Sequence, residues 1–114
     1  MRYVYQTVVG STGGPNSDGY STPVPIDTLV NPTSVGVGVN ILSGSATYTV
    51  EHTFDDIYGG SFTPSTANWL PHVYLAGLTA SSDGNYAFPV RAIRLHVSSG
   101  TGTVRMAVGQ SGLI

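Results

Sequence analysis

Over residues 34–42 apolar residues alternate with small or polar ones, so that Val35, Val37, Val39 and Ile41 share one side and Ser34, Gly36, Gly38 and Asn40 the other. Successive side chains of a β-strand point to opposite faces, and this period of two fits a strand that buries one face. The run 45–54 repeats it, with Ala46, Tyr48, Val50, His52 and Phe54 set against Ser45, Thr47, Thr49, Glu51 and Thr53. Ser43-Gly44 between the two runs predicts a β-hairpin. A second hairpin is expected further on. Residues 90–97 place Arg91, Ile93, Leu95 and Val97 together, 98–102 (SSGTG) turns, and 103–110 returns with Val104, Met106 and Val108 on one face. Residues 3–9 read as a first strand, with Tyr3, Tyr5 and Thr7 opposite Val4, Gln6 and Val8.

Between these runs the punctuation is dense, with 15 Gly and 7 Pro in 114 residues, and no window keeps a helical period over three turns. The expected fold is therefore all-β: an antiparallel β-sandwich or jelly-roll-like single domain spanning 1–114, with a long N-terminal loop or arm over 10–31. That arm is rich in Gly, Ser, Pro, Asn and Asp, and Pro23 and Pro25 favour extended backbone within it. A loop of such length in so small a chain is usually functional or mobile, and here it is expected to embrace a neighbour. Residues 73–78 read as a further strand, Asp83-Gly84 as a turn, and 86–88 as a short extended piece before Pro89. The tail 111–114 ends on Leu113-Ile114, apolar enough to dock on the sheet or on a neighbour.

Charge narrows the function classes. Only 9% of residues are charged and none is lysine, against about 25% in an ordinary soluble chain. Lys and the acids are depleted from the centres of protein interfaces while Tyr and Arg are enriched, and this chain carries seven Tyr and four Arg. The composition points to a surface covered by a partner. A net charge of -2 with only Arg91 and Arg94 close in sequence speaks against nucleic acid as that partner. The absence of cysteine excludes a disulfide framework and thiolate metal sites. No stretch approaches the roughly 18 apolar residues of a membrane helix, and the first residues lack the apolar centre of a secretion signal.

The search for chemistry yields little. Glu51, His52, Asp55 and Asp56 are the densest ionisable group, but on a strand Glu51 and His52 point to opposite faces and cannot share an ion, while Asp55 and Asp56 are expected to cap the strand end. A calcium ion on the two aspartates and a loop carbonyl is the better version of a metal site. His52, His72 and His96 show no zinc spacing, there is no Gly-x-Ser-x-Gly elbow, and the glycines of 10–14 lack the Lys-Ser/Thr ending of a phosphate loop. No enzyme, metal or cofactor is expected. Trp69, near Pro71 and Tyr74, reads as a core residue, an interface anchor or a sugar-stacking platform.

Two stretches, 45–56 (SATYTVEHTFDD) and 83–110 (DGNYAFPVRAIRLHVSSGTGTVRMAVGQ), resemble strand-and-turn segments of the small β-structured virion proteins of tailed bacteriophages, in particular capsid decoration or cement proteins. The resemblance rests on strand texture and transfers no site. It implies a protein made in the host cytoplasm that binds the outside of the assembled capsid and bridges neighbouring major capsid proteins; a homo-oligomer, dimer or trimer, is expected beside it. A tail or head-to-tail connector component is the alternative, and a carbohydrate-binding sandwich using Trp69, Tyr74 and the two aspartates is a further one. The contact residues expected for an assembly role are Arg2, Tyr3, Tyr5 and Trp69, as aromatic or Arg anchors, with Pro23 and Pro25 stiffening the arm.

Overall fold

A computed structural model describes residues 2–9, 19–26, 34–57, 59, 63, 67–87 and 89–110. Every regular element among them is a strand: β1 (Arg2–Val9), β2 (Gly19–Tyr20), β3 (Val24–Pro25), β4 (Val35–Ser43), β5 (Ala46–Thr53), β6 (Trp69–Pro71), β7 (Ser82–Tyr86), β8 (Ala92–Gly100) and β9 (Thr103–Gln110). They form two antiparallel sheets. The first runs β1-β9-β4-β7 and the second β2-β8-β5-β6, with β3 also paired to β8. Because β2 and β3 lie along the same neighbour they act as two halves of one strand. Counted so, the sheets have the orders 1-8-3-6 and 2-7-4-5, the eight-strand jelly roll in which two sheets cover each other's apolar faces.

The inward faces are those the alternation predicts. Val35, Val37 and Val39 of β4, Tyr48 and Val50 of β5, Ile93, Leu95 and Val97 of β8, and Val104, Met106 and Val108 of β9 are all buried in one cluster. Burial of aliphatic and aromatic side chains at about 25 cal/mol per Å² is the main force holding the two layers together. Phe54 departs from the pattern, being 51% exposed at the end of β5, and Arg91 lies on the surface ahead of β8 instead of on its inner face.

Neither expected hairpin forms. β4 and β5 belong to different sheets, as do β8 and β9, so 43–46 and 100–103 arch across the sandwich instead of folding a strand back beside its predecessor. Alternation says which residues face the core but not which sheet a strand joins. The two arches are packed on each other: Gly102 N–H donates to Ser45 O at 2.9 Å. Gly100 takes a left-handed backbone, φ 90, and a Cβ there would collide with the Ser45 carbonyl. Among the described residues, β5 and β6 are the only consecutively numbered strands that are hydrogen-bonded partners.

The expected arm is partly built into the fold. Within 10–31 the structure describes 19–26, and these residues line the edge of the second sheet: Val24 and Ile26 are buried, and Ser21 bonds Leu95 in both directions, its N–H to Leu95 O at 2.9 Å and Leu95 N–H to its Oγ at 2.8 Å. The rest of 10–31, Phe88 and the tail 111–114 lie outside the described residues. Residues 73–78 are not a strand but a series of turns, tied to β5 by an isolated bridge between Leu78 and Tyr48 and by further hydrogen bonds from Val50 N–H to Leu75 O and from Gly77 N–H to Thr49 Oγ1. Asp83 and Gly84, expected as a turn, lie inside β7, where pairing to β4 overrides their local preference.

Candidate interface

β1 forms one edge of the first sheet, paired among the described residues only to β9, from Arg2 opposite Gln110 to Val9 opposite Thr103. Tyr3 and Tyr5 stand on its outer face, 58% and 59% exposed. Arg105 of β9 reaches over Tyr5, its guanidinium carbon 5.4 Å from the ring centre. The strand register continues both rows across the sheet. Tyr3 is followed by Gly109, Gly36 and Asn85, and Tyr5 by Ala107, Gly38 and Asp83. The centre of this face thus carries four residues with almost no side chain. The result is a trough of about 450 Å³ walled by Tyr3 on one side and Asp83 on the other.

The outer face of the second sheet is organised around Arg94 of β8. Its guanidinium is held between the rings of Tyr20 and Trp69, 4.3 and 4.2 Å from their centres, and its Nε donates to Glu51 Oε1 at 2.7 Å. His96 stacks on Tyr20 with ring centres 4.3 Å apart and places Nδ1 3.4 Å from the other Glu51 oxygen. Burial pushes the Glu51 carboxyl up, but the bonds and charges of His96 and Arg94 outweigh it and leave the group below its ordinary range. The cluster ties β2, β8, β5 and β6 together across their width.

Between the sheets two histidines flank Tyr86. His52 Nδ1 is 2.8 Å from the Tyr86 hydroxyl, and the rings of His52 and His72 meet the Tyr86 ring edge-on at 5.0 and 4.8 Å. Burial lowers the His52 pKa, helped by the nearness of His72, and burial raises that of Tyr86. His72 accepts from Tyr74 N–H at Nδ1 (3.1 Å), so its proton sits on Nε2 and is donated to Asn85 O (2.9 Å). The turn after β6 is fixed by this ring and by Val50: His72 N–H donates to Val50 O and Val50 N–H to Leu75 O, each at 2.8 Å.

Of the expected contact residues, the structure brings Tyr3 and Tyr5 together on one exposed row, with Arg2 on the same strand. Pro25 is exposed and Pro23 half-buried on the edge of the second sheet. Trp69 belongs to the opposite outer face, where it is half-buried against Arg94 and is neither a core residue nor a free platform. The six positions therefore do not make one patch. Glu51 and His52 point to opposite sides as expected, and the two aspartates are separately engaged, Asp55 accepting from Asn68 N–H at 2.8 Å and Asp56 facing Arg91 at 3.4 Å. Among the described residues no group of three metal-ligating side chains converges. The role of Arg94 was not visible in the sequence because its partners Tyr20, Glu51 and Trp69 come from three other strands. The trough did leave a trace, the Gly36-Val37-Gly38 alternation, which reads simply as the polar side of a strand.

The described residues form an all-β, two-sheet sandwich with aromatic side chains on both outer faces. No family model matches the chain, and no curated protein does. Among solved structures it is similar to a chain of the Bacillus endospore appendages, described as a novel family of disulfide-linked pili, with a TM-score of 0.47 and 11% identity over 99% of this chain and 87% of that one. A likeness at that score carries no functional meaning here, and this chain has no cysteine to form such a link.

Proposed function

We propose that this chain is a non-catalytic virion protein that docks on the outer surface of a tailed-bacteriophage capsid and bridges neighbouring major capsid proteins. The observation that carries the reading is β1. Natural sheets protect edge strands with lysine, proline or inward charge, yet this edge reads RYVYQTVV and displays two tyrosines. Such an edge suits a partner that adds main-chain hydrogen bonds and takes aromatic side chains. The scarcity of charge and the absence of lysine support the same reading, and the jelly roll is a scaffold used by capsid domains, although a fold by itself assigns no role.

The test is the copy number of the chain in purified particles relative to the major capsid protein. A simple lattice fraction supports decoration, whereas a few copies per particle move the protein to the tail or connector and absence from particles overturns the reading. In a binding assay on undecorated capsids, Tyr3→Ser with Tyr5→Ser is expected to weaken docking at least tenfold, as expected for the loss of aromatic anchors. A sugar platform at Trp69 has no support, because Arg94 lies over its ring.

A further inference from the structure

Glycine within a strand weakens it, and it is kept where a backbone must bend, where a neighbour comes close, or where something from outside approaches. Gly36 and Gly38 satisfy neither of the first two conditions. Both have ordinary strand backbones, and among the described residues a Cβ at Gly38 would meet nothing within 4 Å and one at Gly36 only Gly109 O at 3.9 Å. Gly109 differs, since the Tyr3 ring rests on it. Among the described residues nothing inside the molecule accounts for the space left above Gly36 and Gly38.

The same molecule presents a feature that fits this space. Val73 and Tyr74 are its most exposed large apolar residues, at 79% and 77% among the described residues. They do not belong to a loose loop. Buried His72 and Leu75 anchor the turn on either side, and the His72 ring accepts the Tyr74 N–H. The turn thus holds two apolar side chains outward in a fixed geometry, which lowers the entropy lost on docking.

We propose that the trough is the seat for the turn carrying Val73 and Tyr74 of a second copy of this chain. The two surfaces match chemically. A tyrosine ring entering the trough meets the Tyr3 ring on one wall, and its hydroxyl supplies a donor to the Asp83 carboxylate on the other, which can only accept. No cation is needed, in a chain that has four. Because knob and seat are different surfaces, the contact is heterologous and links copies head to tail. It is also small, well under the area of a stable isolated dimer, so it acts where copies are already crowded side by side. The proposal does not rest on the capsid reading.

The experiment is sedimentation of the purified chain over a range of concentration. The wild type is expected to rise above 11.8 kDa as concentration approaches about 1 mM. Gly38→Val fills the seat while keeping the knob, and Val73→Ser with Tyr74→Ser removes the knob while keeping the seat. Each is expected to stay monomeric, and an equimolar mixture to recover a 1:1 complex. Val73 and Tyr74 are exposed and Gly38 is half-buried, and a thermal melt confirms that each variant folds. A wild type that remains monomeric throughout, as a sugar-binding trough would leave it, overturns the proposal. So does association that survives in either variant, or a mixture that fails to pair.

Discussion

Between the two sheets the imidazole of His52 is nearly sealed from solvent and shares a hydrogen bond with Tyr86. An unfolded chain takes up a proton there near pH 6.5, whereas burial and the nearby His72 delay uptake in the fold. The unfolded state then binds more protons, so the stability associated with neutral His52 is complete above pH 6.5 and is lost as pH falls. Glu51, whose folded carboxyl lies below its ordinary 4.5, adds a second loss at lower pH with the same sign. The melting temperature is expected to drop between about pH 7.5 and about pH 5.5, and His52→Gln to flatten that slope in a calorimetric series. Tyr86→Phe leaves the buried ring nitrogen without this partner and is expected to cost about 1–3 kcal/mol in denaturant unfolding.

At the level of the strand, three glycines carry opposite expectations. Gly100→Ala forces a side chain onto a left-handed backbone beside Ser45 and is expected to destabilise by more than about 1 kcal/mol. Gly38→Val replaces a poor strand former in open space and is expected to raise stability by up to about 1 kcal/mol, read from the denaturant midpoint. Gly109→Ala meets the Tyr3 ring and should change the environment of that tyrosine. The segment 19–26 has its own test: Ile26→Ala is expected to cost about 2–5 kcal/mol, because it fills the seam beside β8 and is not a free arm. Strand faces were legible in the sequence wherever valines and polar residues alternate over eight or nine positions. The short pieces β2, β3 and β6 were not, since two or three residues carry no period and their place is set by Leu95, Ile93 and His52 across the sheet. That Tyr3 and Tyr5 share one face could be read from their spacing, but not that this face is the outer one, because Val4, Gln6 and Val8 leave both faces partly apolar. The trough could not, because β1, β4, β7 and β9 each contribute one wall or part of the floor.

Across the whole molecule, the near absence of charge shapes how it meets partners. Contacts made by tyrosine, valine and backbone are little screened, so the proposed capsid docking and the proposed self-association are each expected to change less than about twofold when salt is raised tenfold, measured by co-sedimentation. The strand order has a different consequence. Arg2 at the start of β1 pairs with Gln110 at the end of β9, and β9 separates β1 from β4. Of the described strands β1 is synthesised first and its partner β9 last, so the first sheet has no middle until β9 has been made. Few neighbours in sequence are neighbours in space, which places folding among the slow, millisecond-to-second all-β cases. Until β9 has been made, a growing chain therefore lacks both the middle of the first sheet and the part of the trough floor that Ala107 and Gly109 supply.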